Sequence, residues 1–115
     1  MISNLQIIGM EDVKEFINGT WGSDEIAVLF FKSETCGQCK LMLPQMERIQ
    51  ALKPECVIYK VDIDKNPDLV EWFSIRSLPS IVIIKNGMEI SKNIGVMPMP
   101  VICKLIDDAV KNIGQ

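Results

Sequence analysis

Four cysteines and no histidine stand among the 115 residues, and two of the cysteines lie three apart in Cys36-Gly37-Gln38-Cys39. Without an imidazole the chain has no Ser-His-Asp or Cys-His catalysis and no His-ligated zinc. What remains is cysteine, carboxylate or lysine chemistry. The spacing alone says little, since about one random placement of four cysteines in ten contains it. Its place in the chain says more: the pair follows a continuous apolar run and opens a helical pattern. At a helix N-terminus, unpaired N–H groups and the positive end of the helix dipole favour a thiolate, lowering a cysteine from its ordinary pKa of about 8.5. Cys39 would lie about one turn further on, within disulfide reach. Cys36 can then attack a disulfide, and Cys39 can attack the mixed disulfide to release a reduced product. Two other readings stand beside this one. The pair can be two buried small hydrophobes, or half of a zinc site completed by Cys56 and Cys103 or by a second chain.

The elements that must position the pair can be read from periodicity. Residues 26–31, Ile-Ala-Val-Leu-Phe-Phe, form an apolar run suited to a central strand covered on both faces. A helix follows from Cys36 to about Leu52, with Leu43, Met46, Ile49, Gln50 and Leu52 spaced by three and four and Pro44 inside it as a kink. A short strand at 5–8 and a helix over 11–17, stopped by Asn18-Gly19, precede them, with a loop at 21–24. A strand over 57–62 and a short helix opening at Asn66-Pro67 and running through Trp72 and Phe73 come next. Residues 81–84 and 89–94 form a hairpin across Lys85-Asn86-Gly87-Met88. Pro98 or Pro100 opens a last amphipathic helix with Val101, Ile102, Leu105, Ile106, Val110 and Ile113 on its apolar face. This order predicts an α/β domain over residues 1–115 with a mixed sheet of about five strands and helices on both faces. The strands are expected parallel wherever a helix intervenes and antiparallel at the final hairpin.

Twelve Lys and Arg against fifteen Asp and Glu leave a net charge of −3. That balance argues against nucleic acid or an anionic membrane as partner. No run approaches the roughly 18 apolar residues of a membrane span, and no secretory pattern opens the chain. A cytoplasmic protein with its thiols mostly reduced is expected.

The motifs together resemble the thioredoxin family over nearly the whole chain. Cys36-Gly37-Gln38-Cys39-Lys40 is similar to that family's C-G-P-C-K, and Pro44 falls where its helix proline stands. Val61-Asp62-Ile63-Asp64-Lys65-Asn66-Pro67 resembles V-D-x-D-x-N-P, and Ile75 to Ser80 resembles I-R-x-x-P-T. Lys85-Asn86-Gly87 and Gly95 complete the series. The resemblance implies a thioredoxin fold and a thiol–disulfide oxidoreductase with no cofactor beyond a Cys36–Cys39 disulfide. It implies Cys36 as nucleophile, Cys39 as resolving thiol, and Gly37 and Gln38 as the active-site turn. Leu78, a cis Pro79, Gly95 and Val96 would line the substrate groove. Lys60 matches a lysine near the resolving cysteine. Disulfide-containing proteins are the implied substrates, with a thioredoxin-reductase-like protein or a low-molecular-weight thiol as electron donor, and a monomer is expected.

The sequence departs from the pattern at four positions. Phe30 stands where the family has a buried aspartate, Lys32 and Thr35 replace tryptophans, and Gln38 replaces proline. Losing a nearby negative charge and gaining Lys32 should lower the pKa of Cys36 and favour the dithiol. The alternative is a thioredoxin-like binding module with weak or no turnover.

Overall fold

The computed structural model describes residues 5–7, 9, 13 and 26–111. Five strands form one mixed sheet: β1 (Gln6–Ile7), β2 (Ile26–Lys32), β3 (Cys56–Asp62), β4 (Ser80–Lys85) and β5 (Met88–Ile94). Their order across the sheet is β1-β3-β2-β4-β5. Three helices complete the described chain: α1 (Gly37–Leu52), α2 (Pro67–Trp72) and α3 (Met99–Lys111). The helix expected over 11–17, the loop at 21–24 and Ile113 lie outside the described residues, apart from Val13, which is buried.

The apolar run of β2 is central because both its faces are covered. Val28 and Phe30 enter a core shared with Met42, Met46 and Ile49 of α1 and Ile102, Ile106 and Ala109 of α3. Ala27, Leu29 and Phe31 enter a second core on the other face with Leu69 and Phe73. There the Phe31 and Phe73 rings meet edge to face at 5.9 Å.

The expectation of parallel strands wherever a helix intervenes fails at β4. β1, β3 and β2 run parallel, but β4 is antiparallel to β2 although α2 precedes it. α2 has 6 residues, and residues 63–79 bring the chain back to the end of the sheet that it left, so β4 starts there and runs the other way. Asp62 ends β3 beside Lys32, and Ser80 begins β4 beside Phe31. The final hairpin turns through Asn86 and Gly87 at φ 55° and 75°, the backbone that an Asn-Gly turn favours.

The predicted face of α3 is also narrower than expected. Ile102, Ile106 and Ala109 are buried, while Val101 and Val110 are exposed. The true stripe follows 102, 106 and 109, and valines one residue to either side fall off it. Pro98 accepts the first bonds of this helix through its carbonyl, from the N–H groups of Val101 and Ile102.

Candidate active site

The site is assembled where β2 gives way to α1. Ser33 is buried and tightens the exit: its Oγ accepts from the Thr35 N–H at 3.2 Å and lies 2.9 Å from the Thr35 hydroxyl. Its carbonyl accepts from the Cys36 N–H at 3.2 Å. Cys36 is thereby held in extended backbone, at φ −88° and ψ 107°, as the N-cap of α1. Its Sγ accepts from the Cys39 N–H at 3.1 Å. A cysteine here does what a serine or aspartate cap does, and the same donor that caps the helix stabilises negative charge on sulfur.

Cys36 and Cys39 are joined by a disulfide, with their Cα atoms 5.2 Å apart. The two sulfurs are not equivalent. Cys36 is half-buried, whereas Cys39 is 1% exposed and belongs to the α1–α3 core. Gly37 and Gln38 are exposed between them.

The segment before β4 carries a cis Leu78–Pro79 bond, and the Pro79 carbonyl accepts from the Gly95 N–H at 2.9 Å. Gly95 has φ +96°, a conformation that favours glycine. Leu78, Met97 and Cys36 pack against the same core, and Val96 is 48% exposed beside them in sequence. Pro79 and Gly95 are thus brought together, with Leu78 and Cys36 on one core.

The two lysines take different places. A recess of about 400 Å³ is lined by Lys32, Ser33, Glu34, Cys39, Lys40 and Leu43. Lys32 therefore shares a recess with Cys39, and its Nζ lies 3.9 Å from Asp62 Oδ2. Lys60 lines the adjoining recess with Lys32, Glu34, Asp62, Lys65 and Asn66, and the residues around that recess do not include Cys39. Phe30 carries no exposed surface. Sequence reasoning missed Ser33, Lys40, Leu43 and Asp62. Asp62 was legible as the residue across from Lys32 once the register of β2 and β3 is known.

Cys56 and Cys103 are free thiols. Cys56 pairs with Ile26 at the start of β2, the opposite end of the strand from Cys36. Burial pushes its thiol up to about 12, with the charge of Glu55 adding to the effect. Its Sγ donates to the Lys53 carbonyl at 3.4 Å. Among the described residues no three His, Cys, Asp or Glu side chains gather as a metal site.

A parallel-plus-hairpin sheet with a cysteine pair opening a helix after its central strand defines a thiol–disulfide oxidoreductase. Comparison with known proteins agrees. The thioredoxin family model matches residues 8–108. The chain is 30% identical to thioredoxin of Chlamydia trachomatis over 102 residues, covering 89% of this chain and 95% of that protein. It superposes on mitochondrial thioredoxin 3 of Saccharomyces cerevisiae in its oxidized form with a TM-score of 0.73 at 30% identity, covering 84% and 89% of the two chains. A mutant thioredoxin from Halobacterium salinarum shares the fold, with a TM-score of 0.79 at 21% identity and coverage of 92% and 89%. The chain belongs to the thioredoxin family.

Proposed function

We propose that this oxidoreductase reduces protein disulfides, with Cys36 as the entering nucleophile and Cys39 as the resolving thiol. The observation that carries the reading is the asymmetry of the pair: Cys36 caps the helix and is half-buried, whereas Cys39 is 1% exposed. An incoming disulfide meets Cys36 first. The Cys36 thiolate attacks one substrate sulfur, the substrate S–S bond breaks, and the departing sulfur takes a proton from solvent. Cys39 then attacks Cys36, the Cys36–Cys39 bond forms, and the second substrate sulfur leaves. An extended substrate segment would pair with the backbone at Leu78 before Pro79, with Gly95 and Val96 as the other wall. The redox group is the cysteine couple itself, and an external dithiol protein or small thiol restores it. Free Cys56 and Cys103 suit a reducing compartment, so the cytoplasm is the proposed setting.

The test is insulin reduction with dithiothreitol as electron source. Wild type is expected to turn over, Cys36→Ser to fall to the dithiothreitol background, and reduced Cys39→Ser, mixed with insulin after dithiothreitol is removed, to accumulate a covalent substrate complex on a non-reducing gel. Turnover by Cys36→Ser above background would overturn the assignment of the nucleophile.

A further inference from the structure

We infer that Lys32 is a positioning residue for the resolving step: its side chain lines the recess that reaches Cys39, and its ammonium stabilises the Cys39 thiolate. The inference rests on the reading of Cys39 as the resolving thiol. That sulfur is 1% exposed and must lose a proton before it attacks, and burial among apolar side chains opposes the charge. A carboxylate beneath it could take the proton, but the inward-facing position of β2 is Phe30, with no exposed surface. Two residues further along the same face comes Lys32.

Three observations place the charge. Lys32 and Cys39 line one recess, with Leu43 as an apolar wall. The Lys32 side chain is 21% exposed, so it is drawn in rather than extended into water. Asp62, directly across from it on β3 and lining the adjoining recess with it, lies 3.9 Å from the ammonium. An ammonium in a partly closed recess acts through a lower effective dielectric than one in bulk water. The other charged groups around it are Glu34 on the exit loop, Lys40 on α1, Lys60 on β3 and Lys65 beyond β3. Lysines outnumber carboxylates there, which favours an anion on Cys39.

In the step itself the Cys39 thiol releases its proton to solvent. The thiolate attacks Cys36 Sγ of the mixed disulfide, the Cys36–Cys39 bond forms, and the bond from Cys36 to the substrate breaks. The substrate sulfur leaves with the electron pair and is protonated by solvent. The protein dithiol is oxidised and the substrate disulfide reduced. Lys32 gains and loses no proton.

The experiment follows alkylation of Cys39 by iodoacetamide against pH in a Cys36→Ser background, read peptide by peptide so that Cys56 and Cys103 do not interfere. Lys32→Met is expected to raise the midpoint for Cys39 by about one pH unit. Lys32→Arg, which keeps the charge, should stay within about 0.3 of the parent, and Lys104→Met, on the exposed face of α3, should leave the midpoint in place. With Cys36 restored, resolution of a preformed mixed disulfide should slow about threefold in Lys32→Met, because a tenfold smaller thiolate fraction is partly offset by a more nucleophilic sulfur. Lys32→Gln serves if Lys32→Met does not fold. An unmoved midpoint in both, or an equal shift from Lys104→Met, overturns the inference. Trapping by Cys39→Ser separates the two failures. If it traps substrate while the Lys32 variants are silent, only the role of Lys32 falls; if it traps nothing, the reading of Cys39 falls as well.

Discussion

Phe30 shows how one side chain changes a site without touching its reactive atoms. It lies between Lys60 on β3 and Ile81 on β4 and contributes its whole ring to the α1–α3 core. The surrounding apolar packing commits the protein to a neutral group at this position. Restoring a carboxylate with Phe30→Asp is expected to cost about 3–5 kcal/mol through lost volume alone, with the buried charge adding to it. Phe30→Leu should cost about 1 kcal/mol. Urea unfolding of the oxidised proteins measures both, and equal midpoints for the two variants would refute the argument. The identity of Phe30 was plain in the sequence, and so was the face it shares with Lys32, because strand alternation fixes faces. The recess that Lys32 lines was not. The lysine was expected to act on Cys36; the structure places it in a recess that it shares with Cys39. Alternation sets which way a side chain leaves the sheet, but the recess it enters depends on how α1 lies across that face.

At the scale of elements, the join between α1 and β3 depends on Gln50. Its Nε2 donates to the Cys56 carbonyl at 2.9 Å, and its Oε1 accepts from the Ile58 N–H at 2.7 Å. Among the described residues β1 pairs with Tyr59 and Lys60. Gln50 thus partners two backbone groups at the start of β3. Gln50→Leu keeps the size and removes both bonds, and a loss of about 2 kcal/mol is expected, since two backbone groups are left without that partner. A urea midpoint matching wild type would show that water replaces the side chain without cost. In the sequence Gln50 sat among apolar residues at helical spacing, which located the helix but hid this bond, because the strand end it serves is far along the chain. The same holds for Lys85. It read as a turn residue, but its Nζ donates to the carbonyls of Ala109 and Val110 near the end of α3. Elements and their order were legible because periodicity is local. The antiparallel entry of β4 was not legible, because the 17 residues between Asp62 and Ser80 are long enough for either direction.

Across the whole molecule the sheet separates two kinds of thiol chemistry. Cys36 and Cys39 follow the C-terminal end of β2, and Cys56 pairs with its first residue. Over seven residues that is about 20 Å. The first pair was legible through its motif and its place before a helix, while the state of Cys56 depends on packing from three elements and could not be read locally. Cys56 is 1% exposed, and burial raises its thiol from an ordinary 9.0 to about 12. The consequence is a pH dependence of folding. Below about pH 9 the thiol is protonated in both states and does not alter their balance. Between 9 and about 12 the unfolded chain releases this proton and the folded chain keeps it, so stability falls as pH rises. The slope is at most about 1.4 kcal/mol per pH unit. Oxidised wild type is therefore expected to lose about 1 kcal/mol more between about pH 8 and about pH 10 than Cys56→Ala loses over the same interval. The alanine variant is less stable at both pH values, because it leaves a small cavity, so the comparison rests on the two slopes. Parallel slopes in urea unfolding would mean that Cys56 ionises in the folded protein as readily as in the unfolded chain, and that the core around β3 admits water.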